Sequence, residues 1–226
     1  MAPVPPEGVR SPRDLAPYVD HTVLAPQATL AQVQAACDEA RTHHFAAVCV
    51  RAAFAAEVRQ RLRGSAVRTA VVVDFPLGAG TTAARVAEAA AAVALGADEL
   101  DLVVALPLVL AGQWAAVLDD LSAVVRAVRV PVKVILETAA LDRHQVVAAA
   151  AVVRASGAAY VKTSTGFGPG GATPEVVALL RQVVGDQVGV KASGGIRTAS
   201  QVLALLRAGA SRIGASGSVG IVTGGF

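Results

Sequence analysis

Short runs of β-branched and aliphatic residues recur along the chain, separated by longer Ala-rich stretches with helical spacing of their apolar positions. The short runs predict eight strands, over 18–23, 45–50, 67–75, 99–105, 132–137, 159–163, 188–192 and 212–215. The stretches between them predict helices near 29–43, 52–63, 81–95, 111–128, 141–155, 174–184 and 198–208. Capping residues support several of these starts: Thr29, the pair Thr81-Thr82, and Thr198. Several predicted ends carry glycine, at Gly64, Gly96, Gly157 and Gly209. The strand segments read as continuous apolar runs, as parallel strands covered on both faces do. Regular alternation of strand and helix implies a parallel sheet. Eight strands permit closure, whereas an open doubly wound sheet usually has about five or six. The pattern therefore predicts an α/β protein with a single (β/α)₈ TIM barrel over 17–226. The Pro-rich stretch 1–16 is expected to form an N-terminal arm or a lid beneath it.

Composition narrows the class. Hydrophobic residues make up 54% of the 226 and aromatics only 4%, so the core is built mainly from Ala and Val. The longest soft stretch, 83–97, is interrupted by Arg85 and Glu88. No uncharged run reaches the roughly 18 residues of a membrane span. The first residues lack the apolar core of a secretory signal, so a cytoplasmic protein is expected. The net charge of +3 comes from arginines scattered along predicted helices, and the densest group, Arg59, Arg61 and Arg63, falls at a helix end. That reads as a solvated surface, with neither nucleic acid nor membrane as partner. Cys37 and Cys49 fall on a helix and a strand and read as reduced, buried thiols. His21, His43, His44 and His144 have no metal-ligand spacing, so neither a metal nor a cofactor is expected.

In such a barrel the active site lies at the C-terminal ends of the strands. Polar residues late in a strand are therefore candidates: Asp20, Cys49, Asp74, Asp101, Glu137, Lys162, Lys191 and Ser216. The lysines stand out. Of 20 basic residues only Lys133, Lys162 and Lys191 are lysines, and all three lie in predicted strands. Arginine supplies charge equally well but not a deprotonatable amine. If Lys162 and Lys191 project from adjacent strands into one cavity, their repulsion and partial desolvation lower a lysine pKa, a route to an amine nucleophile. Lys133 comes early in its strand, where Glu99 or Glu137 could neutralise it. Strand alternation places Glu99, Asp101 and Val103 on one face, and Asp101 could shuttle protons beside an imine-forming lysine. Gly-rich segments follow both lysines, and another ends the last strand at Gly214-Ala215-Ser216-Gly217. Loops of this kind after strands seven and eight commonly hold a phosphate. A phosphate-binding isomerase or synthase, or a non-catalytic sugar-phosphate-binding barrel, would share these loops. The isomerase has no need for two lysines on adjacent strands, and the binding barrel would form no imine.

The motifs resemble the deoxyribose-phosphate aldolase family over about residues 20–218. The resemblance is carried by Asp20-His21-Thr22-Val23-Leu24, Val48-Cys49-Val50, Asp74-Phe75-Pro76-Leu77-Gly78, Glu99-Leu100-Asp101, Lys133-Val134-Ile135-Leu136-Glu137-Thr138, Val161-Lys162-Thr163-Ser164-Thr165-Gly166-Phe167, Val190-Lys191-Ala192-Ser193-Gly194-Gly195-Ile196-Arg197-Thr198 and Arg212-Ile213-Gly214-Ala215-Ser216. It implies reversible cleavage of 2-deoxy-D-ribose 5-phosphate to acetaldehyde and D-glyceraldehyde 3-phosphate through a lysine Schiff base, with no cofactor. It further implies that Lys162 forms the imine, that Lys191 is a second catalytic lysine, and that Asp101 relays protons with Asp20 in support. Cys49 matches a pocket cysteine. Thr22, Thr165, Gly166, Gly194, Gly195, Gly214 and Ser216 are the expected substrate- and phosphate-binding positions. A homo-oligomer, dimer or tetramer, is the expected assembly. The chain departs from the family pattern at Arg51 and Ala105, where Asn often stands, and at Gly217, where a second Ser is common. Its last residues, Thr223-Gly224-Gly225-Phe226, contain none of the tyrosine that some members carry near the C-terminus.

Overall fold

The computed structural model describes residues 8–225, and residues 1–7 and 226 lie outside it. Eight parallel strands close into a barrel in chain order: β1 (Val19–Val23), β2 (Ala47–Val50), β3 (Arg68–Val73), β4 (Glu99–Val103), β5 (Val132–Ile135), β6 (Tyr160–Lys162), β7 (Gly189–Ser193) and β8 (Arg212–Ala215). The described helices are α1 (Leu30–His43), α2 (Ala55–Arg61), α3 (Thr82–Ala94), α4 (Leu106–Leu110), α5 (Trp114–Ala127), α6 (Arg143–Ala155), α7 (Pro174–Val184), α8 (Ala199–Arg207) and α9 (Ser218–Thr223). Local chemistry sets their starts. The hydroxyls of Thr29, Thr81, Thr173 and Thr198, and the carboxylate of Asp142, each accept a hydrogen bond from a backbone N–H in the first turn. The glycines expected at helix ends, such as Gly96 and Gly209, have positive φ and turn the chain back toward the next strand.

Four local expectations change. The segment expected as one helix over 111–128 begins at Trp114, because Leu106–Leu110 closes a short helix of its own, with Pro107 in its first turn, and Gly112 at φ 67° breaks the run. The stretch near 52–63 divides into a 3₁₀ turn, Ala52–Phe54, and α2. Helix α9 was not expected. Of the stretch expected as an arm, residues 12–16 belong to a 3₁₀ helix, Pro12–Tyr18, that buries Leu15 and Ala16 and packs against α8 and α9.

Alternation along the strands sorts the side chains into two environments. Val48, Val50, Val71, Val73, Leu100, Leu102, Val134, Val161, Val190 and Ile213 point outward into one continuous apolar layer beneath the helices. Full burial of each such side chain contributes about 1.5–3 kcal/mol, so this layer holds the barrel together. The residues between them point inward. There Ala47, Cys49, Ala70 and Val72 form a small separate apolar cluster with Leu24. The rest of the interior carries the buried charged side chains.

Candidate active site

The inward positions of β4 to β8 and β1 place seven ionisable groups in the barrel: Asp20, Glu99, Asp101, Lys133, Lys162, Lys191 and Arg212, all buried. Register brings the lysines together. Lys162 on β6 is level with Lys191 on β7, and Lys191 is level with Arg212 on β8. Interior glycines make room for these long side chains. A Cβ at Gly214 would lie 3.1 Å from the Lys191 stem, and one at Gly189 would lie 2.2 Å from the Tyr160 ring.

Asp101 is the hub. Its Oδ2 accepts from the Lys162 ammonium at 2.7 Å and from the Lys191 ammonium at 2.7 Å, while Oδ1 accepts from Lys133 at 2.7 Å. Lys191 also donates to Asp20 Oδ2, and Lys133 pairs with Glu99 at 2.7 Å. Glu99 rather than Glu137 therefore neutralises Lys133. Burial alone would push the Asp101 carboxyl up, but the three surrounding lysines hold it well below the usual carboxylate range. Asp20 is likewise lowered, with Lys191, Arg212 and Lys133 overcoming the effect of burial. The lysines split. Burial lowers the Lys162 pKa, Asp101 opposes this, and repulsion from Lys191 adds to the lowering. Burial acts on Lys191 too, but Asp101 and Asp20 outweigh it and its pKa rises. Lys133, held by Asp101, Asp20 and Glu99 against the effect of burial, is also raised. Of the three amines, Lys162 is the one whose neutral form is favoured relative to an ordinary lysine.

A cavity of about 910 Å³ opens above Lys162. Thr22, Lys162, Thr165, Gly166, Gly194, Gly195, Gly214 and Ser216 all line it. Lys191, Asp20, Asp101 and Cys49 do not; they are buried in the packed interior of the barrel. Cys49 places its Sγ 4.0 Å from Asp101 Oδ2. Burial, followed by the Asp101 charge, pushes its thiol up to about 11, so it is neutral at pH 7. Asp74, another residue late in its strand, turns outward: its carboxylate accepts from the Gly80 N–H and faces buried Arg85 at 3.6 Å.

The loops after β6 and β7 are packed backbone to backbone. The Ala172 N–H donates to Ser193 O at 3.0 Å, and a Cβ at Gly171 would sit 2.1 Å from Gly194 O. Gly194 and Gly195 have φ of 89° and 76°, a region other residues adopt only with strain. Two further residues shape this neighbourhood: Glu137, expected as a candidate late in its strand, and Arg212, for which the sequence indicates no role. Glu137, at φ 56°, accepts hydrogen bonds from both the backbone N–H and the hydroxyl of Thr165, so it ties down the loop that follows Lys162. Arg212 enters the interior at the start of β8, where it pairs with Asp20 at 2.7 Å. Strand parity could have indicated Arg212, because Gly214 two residues on is an inward position.

A closed parallel barrel with buried lysines sharing one carboxylate beneath a glycine-lined cavity is the frame of a lysine-based barrel aldolase. The chain belongs to the DeoC/LacD aldolase family, whose model matches residues 15–224. It is 48% identical over 212 residues to the deoxyribose-phosphate aldolase of Deinococcus radiodurans, covering 93% of this chain and 96% of that protein. It is 47% identical over 208 residues to deoxyribose-phosphate aldolase 1 of Vibrio vulnificus, covering 92% and 95%. Its fold is similar to the tetrameric deoxyribose phosphate aldolase of Aeropyrum pernix, with a TM-score of 0.89 at 32% identity, covering 96% of this chain and 93% of that one.

Proposed function

We propose that this protein is a class I deoxyribose-phosphate aldolase in which Lys162 is the nucleophile. The observation that carries the reading is the position of the Lys162 amine. It lies at the cavity floor, has a lowered pKa, and shares one Asp101 oxygen with Lys191. A neutral amine there attacks the aldehyde carbon of open-chain 2-deoxy-D-ribose 5-phosphate. The carbinolamine loses water with a proton relayed from the Asp101–Lys191 pair, giving an iminium ion. Removal of the C3 hydroxyl proton then breaks the C2–C3 bond. The bonding pair flows into the iminium, D-glyceraldehyde 3-phosphate leaves, and an enamine of acetaldehyde remains on Lys162. Protonation of the enamine carbon and attack of water release acetaldehyde and restore the amine. Asp20 holds Lys191 within reach of Asp101.

The substrate phosphate is assigned to the loops after β7 and β8, where Gly194, Gly195 and Ser216 line the cavity beside Gly214 at the end of β8, and glycine-rich loops of this kind offer backbone N–H groups to an anion. Thr22, Thr165 and Gly166 line the sugar path. Cys49 has no bond-making part and shapes the floor. A homo-oligomer is the proposed assembly, supported by the relative whose structure is described as tetrameric. Among the described residues no helix is long and apolar enough to cross a membrane, and a cytoplasmic location is proposed. Incubation with acetaldehyde and borohydride tests the reading. Peptide mapping should find an ethyl group on Lys162 alone. A label on Lys133, or none, overturns it.

A further inference from the structure

Three of the seven charged groups inside the barrel have no part in the mechanism above: Glu99, Lys133 and Arg212. Arg212 is 8% exposed and reaches inward from the first position of β8. One terminal nitrogen lies 2.7 Å from Asp20 Oδ1 and 3.3 Å from Glu99 Oε2, and the other lies 3.4 Å from Glu99 Oε1. Its guanidinium carbon sits 5.7 Å from the centre of the Tyr160 ring. That ring occupies the space a Cβ at Gly189 would need, so the barrel floor is shaped around the pair. The groups facing Arg212 are Asp20 from β1, Glu99 from β4, Lys133 from β5, Tyr160 from β6 and Lys191 from β7. Arg68 from β3 pairs with the same Glu99 from the outer, half-exposed side.

The interior thus holds four potential cations, Lys133, Lys162, Lys191 and Arg212, against three carboxylates, Asp20, Glu99 and Asp101. A buried charge without a partner is costly, so the surplus positive charge is relieved at whichever cation gives up its proton most readily. Arginine does not do so. Lys133 is paired with Glu99 and Asp101, and Lys191 with Asp20 and Asp101. Lys162 has a single carboxylate oxygen, and Lys191 shares it.

We propose that Arg212 is a positioning residue for the reaction: a permanent cation in the barrel floor that occupies Asp20 and Glu99, so that the proton given up to relieve the surplus charge is that of Lys162 and its amine is freed. Arginine keeps its proton, so the loss falls on one of the lysines. The directions of titration agree, since burial and Lys191 lower Lys162 against Asp101, while Lys191 and Lys133 are raised by their carboxylates. The proposal rests on Lys162 being the nucleophile.

The test is the acidic limb of the pH profile of kcat/KM for cleavage of deoxyribose 5-phosphate, measured for the full chain, Arg212→Gln, Arg212→Lys and Glu99→Gln. Removing the Arg212 charge leaves Asp20 and Glu99 to compete for the lysines and lessens the positive field at Lys162. The acidic limb of Arg212→Gln should move up by about one pH unit, a loss of about tenfold on that limb that alkaline pH restores. Arg212→Lys keeps a charge at neutral pH and should stay within a few tenths of a unit of the parent. Glu99→Gln removes a negative charge from the same cluster and should move the limb the other way. A folded Arg212→Gln enzyme whose activity drops equally at every pH overturns the proposal. If Arg212→Gln does not fold, the Glu99→Gln limb decides: a downward shift supports the proposal, and an unmoved or rising limb overturns it. Borohydride trapping on the parent enzyme separates the two levels. Imine at Lys162 with unmoved limbs removes only the role of Arg212; no imine at Lys162 removes both.

Discussion

The interior of the barrel has two halves of opposite character. On β2 and β3 the buried inward residues are Ala47, Cys49, Ala70 and Val72, small and uncharged, with Arg68 only at the half-exposed start of β3. On β4 to β8 and β1 they include seven ionisable groups, crowded around Asp101. The same outer layer of Val, Leu and Ile covers both halves. Stability and chemistry are therefore carried by opposite faces of the same strands: the outward positions supply burial energy, and the inward positions are free to hold charges that would be expensive elsewhere. The apolar half matters to the charged half. Having no counter-charge of its own, it leaves the surplus cation in the lysine cluster uncompensated.

Substitutions on each side sharpen the contrast. The largest effect is expected at Asp101. Asp101→Asn removes the oxygen that Lys162 and Lys191 share, and should lower kcat by about 10²–10⁴-fold, the range typical of general acid–base groups. Because Asp101 raises the Lys162 pKa, its loss should also shift the acidic limb of kcat/KM to lower pH. Near-normal turnover would remove Asp101 from the mechanism. Lys191→Met comes next. Lys191 lowers the Lys162 pKa, so without it the pKa rises and the limb moves to higher pH, with partial recovery in alkali. A profile that keeps its shape and position would show that repulsion plays no part. The smallest effect belongs to the apolar half. Cys49→Ala removes a thiol that is uncharged at pH 7, so it should cost about 1 kcal/mol of stability through lost packing and leave the pH profile unmoved. A shifted limb in this variant would mean the two halves are electrically coupled.

Much of this arrangement was legible in the sequence. The apolar runs located eight strands, because strands buried on both faces leave a strong signal, and β8 matched over 212–215. Lysines confined to strands, followed by glycine-rich loops, pointed to the cavity floor and its rim. The sequence was less informative where a residue's environment depends on closure of the barrel. Arg212 opens a strand, a position that reads as surface, and its carboxylate partners come from β1 and β4, far away in the chain. Glu137 lies just past β5 in a left-handed conformation, so strand alternation no longer predicts where it points, and it serves the Thr165 loop instead of Lys133. Helix α9 has only six residues, with Gly220 inside it, too few for helical spacing to register.

The central claim is that Lys162, alone of the three lysines, gives up its proton more readily than an ordinary lysine, in a cluster short of one negative charge. Because the chain has only Lys133, Lys162 and Lys191, selective ¹⁵Nζ labelling yields three lysine signals that an NMR titration can follow one by one. The account predicts that the signal lost in Lys162→Arg titrates below the ordinary lysine value of about 10.4, while the other two stay protonated to higher pH. Titration of Lys162 at or above that value, or loss of a proton from Lys133 or Lys191 first, would contradict it.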